Sequence, residues 1–76
     1  MKRDILQSAN YRFDFDRAMY INRSDKKAFS IEYVDDHSEE ELERRIRESH
    51  PVNGWMFYFN EIPSASVQCE LERVLG

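Results

Sequence analysis

The sequence predicts a small two-layer α+β domain: a mixed sheet of three strands, or four, with two helices on one face, in the order ββαβα. Three observations carry this reading. Trp55-Met56-Phe57-Tyr58-Phe59 packs four of the chain's ten aromatic residues into five positions directly after the turn signal Asn53-Gly54. Residues 11 to 34 alternate apolar and polar side chains around one polar loop. Two later segments repeat their apolar residues at helical spacing, each behind a serine that can cap a helix.

The first ten residues place Ile5 and Leu6 among polar neighbours with no clear period, which reads as a single helical turn or a partly ordered tail ahead of a domain spanning residues 11–76. From Tyr11 the period is two. Tyr11, Phe13 and Phe15 alternate with Arg12, Asp14 and Asp16, the signature of a strand with one wet face. The phase shifts near Asp16-Arg17, so residues 11–21 form either a bulged strand or two short ones. Asn22 to Lys27 holds no apolar residue and reads as a hairpin loop of about four residues. The return strand is Ala28 to Val34, with Phe29, Ile31 and Tyr33 on one face.

Ser38 with Glu41 three places on forms a capping box, and Asp36 with Glu39 offers a second. The helix from Glu39 to about Ser49 carries acids early and arginines late, which suits its macrodipole. Glu40–Arg44, Glu41–Arg45 and Glu43–Arg47 are i,i+4 pairs in the favourable order. Its apolar stripe is narrow: Leu42 and Ile46, with His50 next, and Pro51 closes the element. The aromatic run follows as a strand apolar on both faces, either parallel to the return strand through a helical crossover or antiparallel to the first strand. Ser64 or Ser66 then caps a second helix running to Leu75, where Val67, Leu71, Val74 and Leu75 share a face.

Composition bounds the function classes. Seventy-six residues bury only roughly 60% of their unfolded surface, so self-association is an expected source of extra stability. The single cysteine, Cys69, excludes an internal disulfide and a multi-thiolate zinc site. With no run of about 18 apolar residues, no membrane association is expected, and a lone cysteine fits a reducing cytoplasm. The acidic net charge of −4 disfavours general affinity for nucleic acid. That total hides an asymmetry: residues 1–30 carry seven Lys/Arg and four Asp, residues 31–76 four Arg and eleven acids.

Candidate chemistry is sparse. Asp35-Asp36-His37 lies one helix length from His50, so the two histidines cannot share a metal within one chain. Asp14 and Asp16 face one way on a strand with Arg12 as their ion-pair partner. Cys69 precedes Glu70, an acid that disfavours a thiolate, and reads as buried or half-buried filler. Two glycines, Gly54 and Gly76, leave no phosphate-binding loop. No catalytic, cofactor or metal motif is found.

What remains is association. Met56 and Tyr58 project to one side of the aromatic strand, opposite Trp55, Phe57 and Phe59. With both helices on the Trp55 side, Met56 and Tyr58 together with Met19 and Tyr20 form an exposed aromatic patch flanked by Arg17 and Arg23. The expected function is a non-catalytic interaction or regulatory module that dimerises through this sheet face or binds a protein partner. The alternative is a single-stranded nucleic-acid binder using the same aromatics and the basic hairpin (Arg12, Arg17, Arg23, Lys26, Lys27). A third is an enzyme completed at a subunit interface by Asp14, Asp16 or His37.

Overall fold

The computed structural model describes residues 1–48 and 54–76. The elements run α1 (Lys2–Ser8), β1 (Arg12–Asp14), β2 (Met19–Asn22), β3 (Lys27–Ser30), α2 (Ile31–Asp36), α3 (Glu39–Arg47), β4 (Met56–Tyr58) and α4 (Ala65–Leu75). The four strands form one mixed sheet in the order β1-β2-β3-β4, so the fold is a small α+β domain. The first two pairings are antiparallel and β3–β4 is parallel, as expected when two helices intervene.

The register decides which side chains share a face. Tyr20, Phe29 and Tyr58 stand in one row across the sheet; Ile21, Ala28 and Phe57 stand in the next. Because side chains alternate, these rows point to opposite faces. The first packs with Leu6 of α1, Tyr33 and Val34 of α2, and Leu42 of α3, with Tyr11 beside them. The second packs with Met19, Trp55 and, from α4, Leu71 and Leu75. The helices therefore divide between the two faces, where the sequence placed both on one. The reason lies in β2 and β3, whose eight residues are all buried: strands buried on both sides need cover on both sides.

Two local differences from the sequence reading, and one choice between its alternatives, follow from sequence context. Residues 2–8 form a helix whose Leu6 is wholly buried, where the sequence left a turn or a partly ordered tail. The phase shift near Asp16 is a break, not a bulge: a turn at residues 15–18 separates β1 from β2, with Ala18 at φ 53°. Ile31–Val34 are helical, not extended. Ser30 caps α2 by accepting a hydrogen bond from the Tyr33 N–H at 3.1 Å, and the helical turn brings Tyr33 and Val34 into one core. In a strand those neighbours would point to opposite faces.

The caps of the later helices match the sequence pattern. Ser38 accepts from the Glu41 N–H at 3.2 Å and Ser64 from the Val67 N–H at 3.4 Å. Arg45 and Arg47 pair with Glu41 and Glu43; Arg44 reaches Glu41 at 3.1 Å, not Glu40. His50 and the Asn53 half of the turn signal lie outside the described residues. Gly54 sits at φ 110°, and a Cβ there would meet the Glu72 carboxylate at 3.1 Å. Its backbone geometry and the close approach both favour glycine.

Two polar side chains are buried at one end of the hairpin. Asn22 donates to the Ala9 carbonyl at 3.2 Å and to Asp25 at 3.2 Å, while its own oxygen accepts from the Asp25 N–H. Lys27, only 3% exposed, places its ammonium on the last carbonyls of α3: Arg45 at 3.0 Å, Ile46 at 3.2 Å, and Glu48. The Arg45 carbonyl also accepts from the Glu48 N–H at 3.3 Å, and the negative end of the helix dipole favours a cation beside these terminal carbonyls. Lys27 thus ties β3 to the end of α3. Replacing Lys27 by Met keeps the aliphatic stem but takes the ammonium from these carbonyls; it is expected to lower unfolding free energy by about 1.5–3 kcal/mol. Urea denaturation checks this, and an unchanged midpoint would show that water replaces the ammonium without loss.

Candidate functional site

The six residues that the sequence nominated do not form one surface. Met19 and Tyr20 are both buried, on opposite faces: Met19 with the α4-side core, Tyr20 with the α1–α3 core. Their adjacency in a strand forces that separation. Tyr58 is half-buried among Phe29 and Tyr33, stacked on Phe29 with ring centroids 4.5 Å apart. Met56 is half-buried in the same row as Lys27. Arg17 lies in the β1–β2 turn and Arg23 just past β2, both exposed. The expected Met19–Tyr20–Met56–Tyr58 patch is therefore corrected: α1, α2 and α3 occupy the face on which Tyr20 and Tyr58 stand.

The candidate catalytic groups are engaged structurally. Asp14 accepts from the Arg17 guanidinium at 2.6 Å and from the Arg17 N–H at 3.2 Å. Burial pushes its carboxyl up, but these bonds and the Arg17 charge outweigh that and hold it below the ordinary range. The partner is Arg17, not the expected Arg12. His37 stacks on Tyr33 at 3.8 Å and its Nδ1 lies 2.8 Å from the Tyr33 carbonyl, closing the end of α2. Asp36 accepts from the Asn60 amide, and the Asp35 carbonyl accepts from Lys2 at 3.0 Å. Cys69 is exposed on α4, where the sequence read it as filler. Among the described residues no group of three His, Cys, Asp or Glu side chains is placed to hold a metal. Nor is any helix among them long and apolar enough to cross a membrane.

Two surfaces stand out instead, at opposite edges of the sheet. Beside β4, the cover supplied by α4 is incomplete. Leu75 is buried and Leu71 half-buried, but Val67 and Val74 are 48% and 47% exposed, and Ile62 is 90% exposed. At 100° per residue, Leu71, Leu75, Gln68 and Glu72 point towards the sheet, while Val67 and Val74 lie on the flank. The Glu72 carboxylate accepts from the Trp55 N–H at 3.1 Å, which anchors this orientation. Ile62 and Pro63 line a small recess of about 80 Å³ with Phe57, Phe59 and Gln68 at the β4 edge. The helical period in the sequence named Val67 and Val74 correctly as apolar-face residues; that the sheet reaches only half of that face was not legible there.

The other surface follows the free edge of β1. Phe13 and Phe15 are 40% and 87% exposed, with their rings edge to face at 5.9 Å. Arg12 and Arg23 line one recess with Asn10, Ile21 and Ser24.

No family model, curated protein or solved structure matches this chain. The fold defines it as a small α+β domain, and its function is to be read from these two surfaces.

Two phenols test the cores. Tyr11 is buried, and its hydroxyl finds no hydrogen-bond partner among the described residues. Burial, with Asp25 and Tyr58 nearby, pushes its pKa well above the ordinary phenol range. Burial and the neighbouring Glu48 push Tyr58 up to about 12. Tyr11→Phe removes an unpaired buried hydroxyl, so stability in urea should hold or rise within about 1 kcal/mol; a larger loss would reveal a bonded hydroxyl. In the unfolded chain a phenol ionises near pH ~10, where the folded phenols keep their protons. The unfolded state then binds fewer protons, so stability is fully present below about pH 10 and falls as pH rises towards the folded values. Urea midpoints measured from about pH 9 to about pH 11 should decline, and less steeply in Tyr11→Phe.

Proposed function

We propose that this chain is a non-catalytic protein-interaction module that self-associates, and that the surface it uses is the exposed flank of α4. The single observation behind this reading is the apolar stripe of α4, which is wider than the sheet beneath it. Val67, Val74 and Ile62 remain in water although the helix is otherwise docked. Val67 and Val74 share one flank of α4, and clustered exposed apolar surface on a small domain is a binding surface more often than an accident.

A second copy of the chain fits this flank. Val67 and Val74 are seven residues apart, the repeat that keeps a helical seam facing one partner. An antiparallel two-fold pairing sets Val67 of one copy against Val74 of the other, and the reverse, so the contact is self-complementary. Glu70 and Arg73, already 3.4 Å apart within one copy, border the stripe with opposite charges. In the antiparallel arrangement each lies within reach of its opposite in the second copy. The expected sheet-face dimer is thereby moved to a helix flank, because the sheet faces carry their own helices.

An 11-residue helix offers a seam of about 16 Å, so the dimer belongs with the smaller, reversible interfaces. Sedimentation velocity over a concentration series should show a monomer–dimer equilibrium. Val67→Glu should leave the circular dichroism spectrum intact and abolish the dimer, since it buries two charges against an apolar seam. A wild-type chain that stays monomeric at millimolar concentration would overturn the reading.

A further inference from the structure

The β1 edge carries a second site, unrelated to the α4 flank and at the other side of the sheet. Arg12 pairs with Ile21 in the β1–β2 ladder, and Arg23 follows two residues later. The two arginines are diagonal neighbours on one face, with Cα atoms on the order of 8 Å apart. That spacing lets both guanidinium groups reach one anion. They line a recess of about 290 Å³ with the Asn10 amide and the Ser24 hydroxyl, both further hydrogen-bonding groups.

Neither arginine has a carboxylate partner among the described residues, whereas Arg17, Arg44, Arg45, Arg47 and Arg73 each do. Two of the nearby acids are committed elsewhere. Asp14 is held by Arg17, and Asp25 by Asn22. Lys26, exposed in the same hairpin turn, adds a third cation. In a chain of net charge −4 this is a local reversal of sign.

A second recess of about 490 Å³ adjoins the first. It is lined by Gln7, Asn10, Tyr11, Arg12 and Phe13, so Asn10 and Arg12 belong to both. Its volume lies within the range of small-molecule pockets, about 300–1,000 Å³. Arg12, paired with Ile21, stands on one face of the sheet and Phe13, paired with Tyr20, on the other. The two recesses therefore wrap the free β1 edge, cationic on the Arg23 side and aromatic on the Phe13 side. Phe13 is backed by Tyr20 with centroids 4.9 Å apart, which fixes its ring, and Phe15 extends the aromatic surface.

We propose that this edge binds a nucleotide unit, with its phosphate between Arg12 and Arg23 and its base against Phe13. Guanidinium groups suit a phosphate because they present planar pairs of N–H donors. An exposed ring beside them supplies the stacking platform that distinguishes nucleotide from simple anion binding. The unit comes from a free nucleotide or from a single strand, and the two share this chemistry.

The test is fluorescence anisotropy with labelled oligo-dT and oligo-U on the full chain, between about 0.05 and about 0.2 M salt. Arg12→Gln with Arg23→Gln should weaken binding at least tenfold. It should also lower the slope of log affinity against log salt by about 0.7, for one phosphate of a single strand no longer neutralised. Phe13→Ala should weaken binding about 5- to 100-fold, and Phe13→Tyr should restore it. Arg44→Gln with Arg47→Gln changes net charge equally and should leave binding unchanged. Circular dichroism and urea midpoints confirm that each variant folds. Titration with uridine monophosphate, followed by amide shifts at residues 10–13 and 21–24, separates the sources. Shifts with the mononucleotide support a free nucleotide, and shifts with the oligomer alone support a strand. Absence of binding by both, or equal binding of an oligo-glutamate peptide, overturns the inference. So does a double arginine variant that binds with unchanged affinity and salt slope.

Discussion

Everything in this fold depends on the β2–β3 hairpin being buried on both of its faces. Met19 and Ile21 turn one way, Tyr20 and Asn22 the other, and none is left in water. The same holds for Lys27 through Ser30. A single layer of helices cannot cover such a hairpin. The chain therefore spends α1, α2 and α3 on the Tyr20–Phe29 side and has only α4 for the Ile21–Ala28 side. The first side is an aromatic core in which Tyr11, Tyr33 and Tyr58 surround Phe29. The second has a thinner cover, and Trp55 lies with its ring parallel to Phe57 at 6.0 Å within it.

Burying two polar side chains in so small a domain demands that their partners be close at hand. Asn22 meets this by bonding to its own turn and to the end of α1. Lys27 meets it with helix-terminal carbonyls, groups at the negative end of the helix dipole. Both interactions join segments distant in sequence, so they fix how α1 and α3 sit on the hairpin. A buried cation matched by several carbonyl dipoles avoids the cost of an isolated charge, which explains how a lysine sits in a strand among apolar neighbours.

The unequal covers also explain where the usable surface lies. With both faces occupied, the sheet can meet other molecules only at its edges and through the outer flanks of its helices. One edge, at β4, lies beside the half-covered apolar face of α4. The other, at β1, presents arginines and phenylalanines, with Asp14 held by Arg17. One surface is apolar, the other cationic and aromatic. Separated by the width of the sheet, they are free to act independently.

The sequence by itself determined what local physics determines. Ser38 and Ser64 were readable as caps because their acceptors serve N–H groups three residues away. The α4 period, the alternation of the aromatic strand and the polar hairpin loop were equally local, and so was the small α+β class built from them. The switch of Ile31–Val34 from strand to helix was not, since Phe29-Ser30-Ile31-Glu32-Tyr33-Val34 satisfies either period until the Leu42 core asks for Tyr33 and Val34 together. Nor was the face of each strand relative to the next. Register arises from pairing, and a shift of one residue moves a side chain from core to surface. Met19 stands on the face opposite Tyr58 for a simpler reason: it neighbours Tyr20 in one strand, and alternation sends the two to opposite faces. That Arg12 and Arg23 have no carboxylate partner among the described residues was likewise a tertiary outcome: Asp14 pairs with Arg17. Composition and spacing specify which elements form; only their packing decides which of their side chains are left for another molecule.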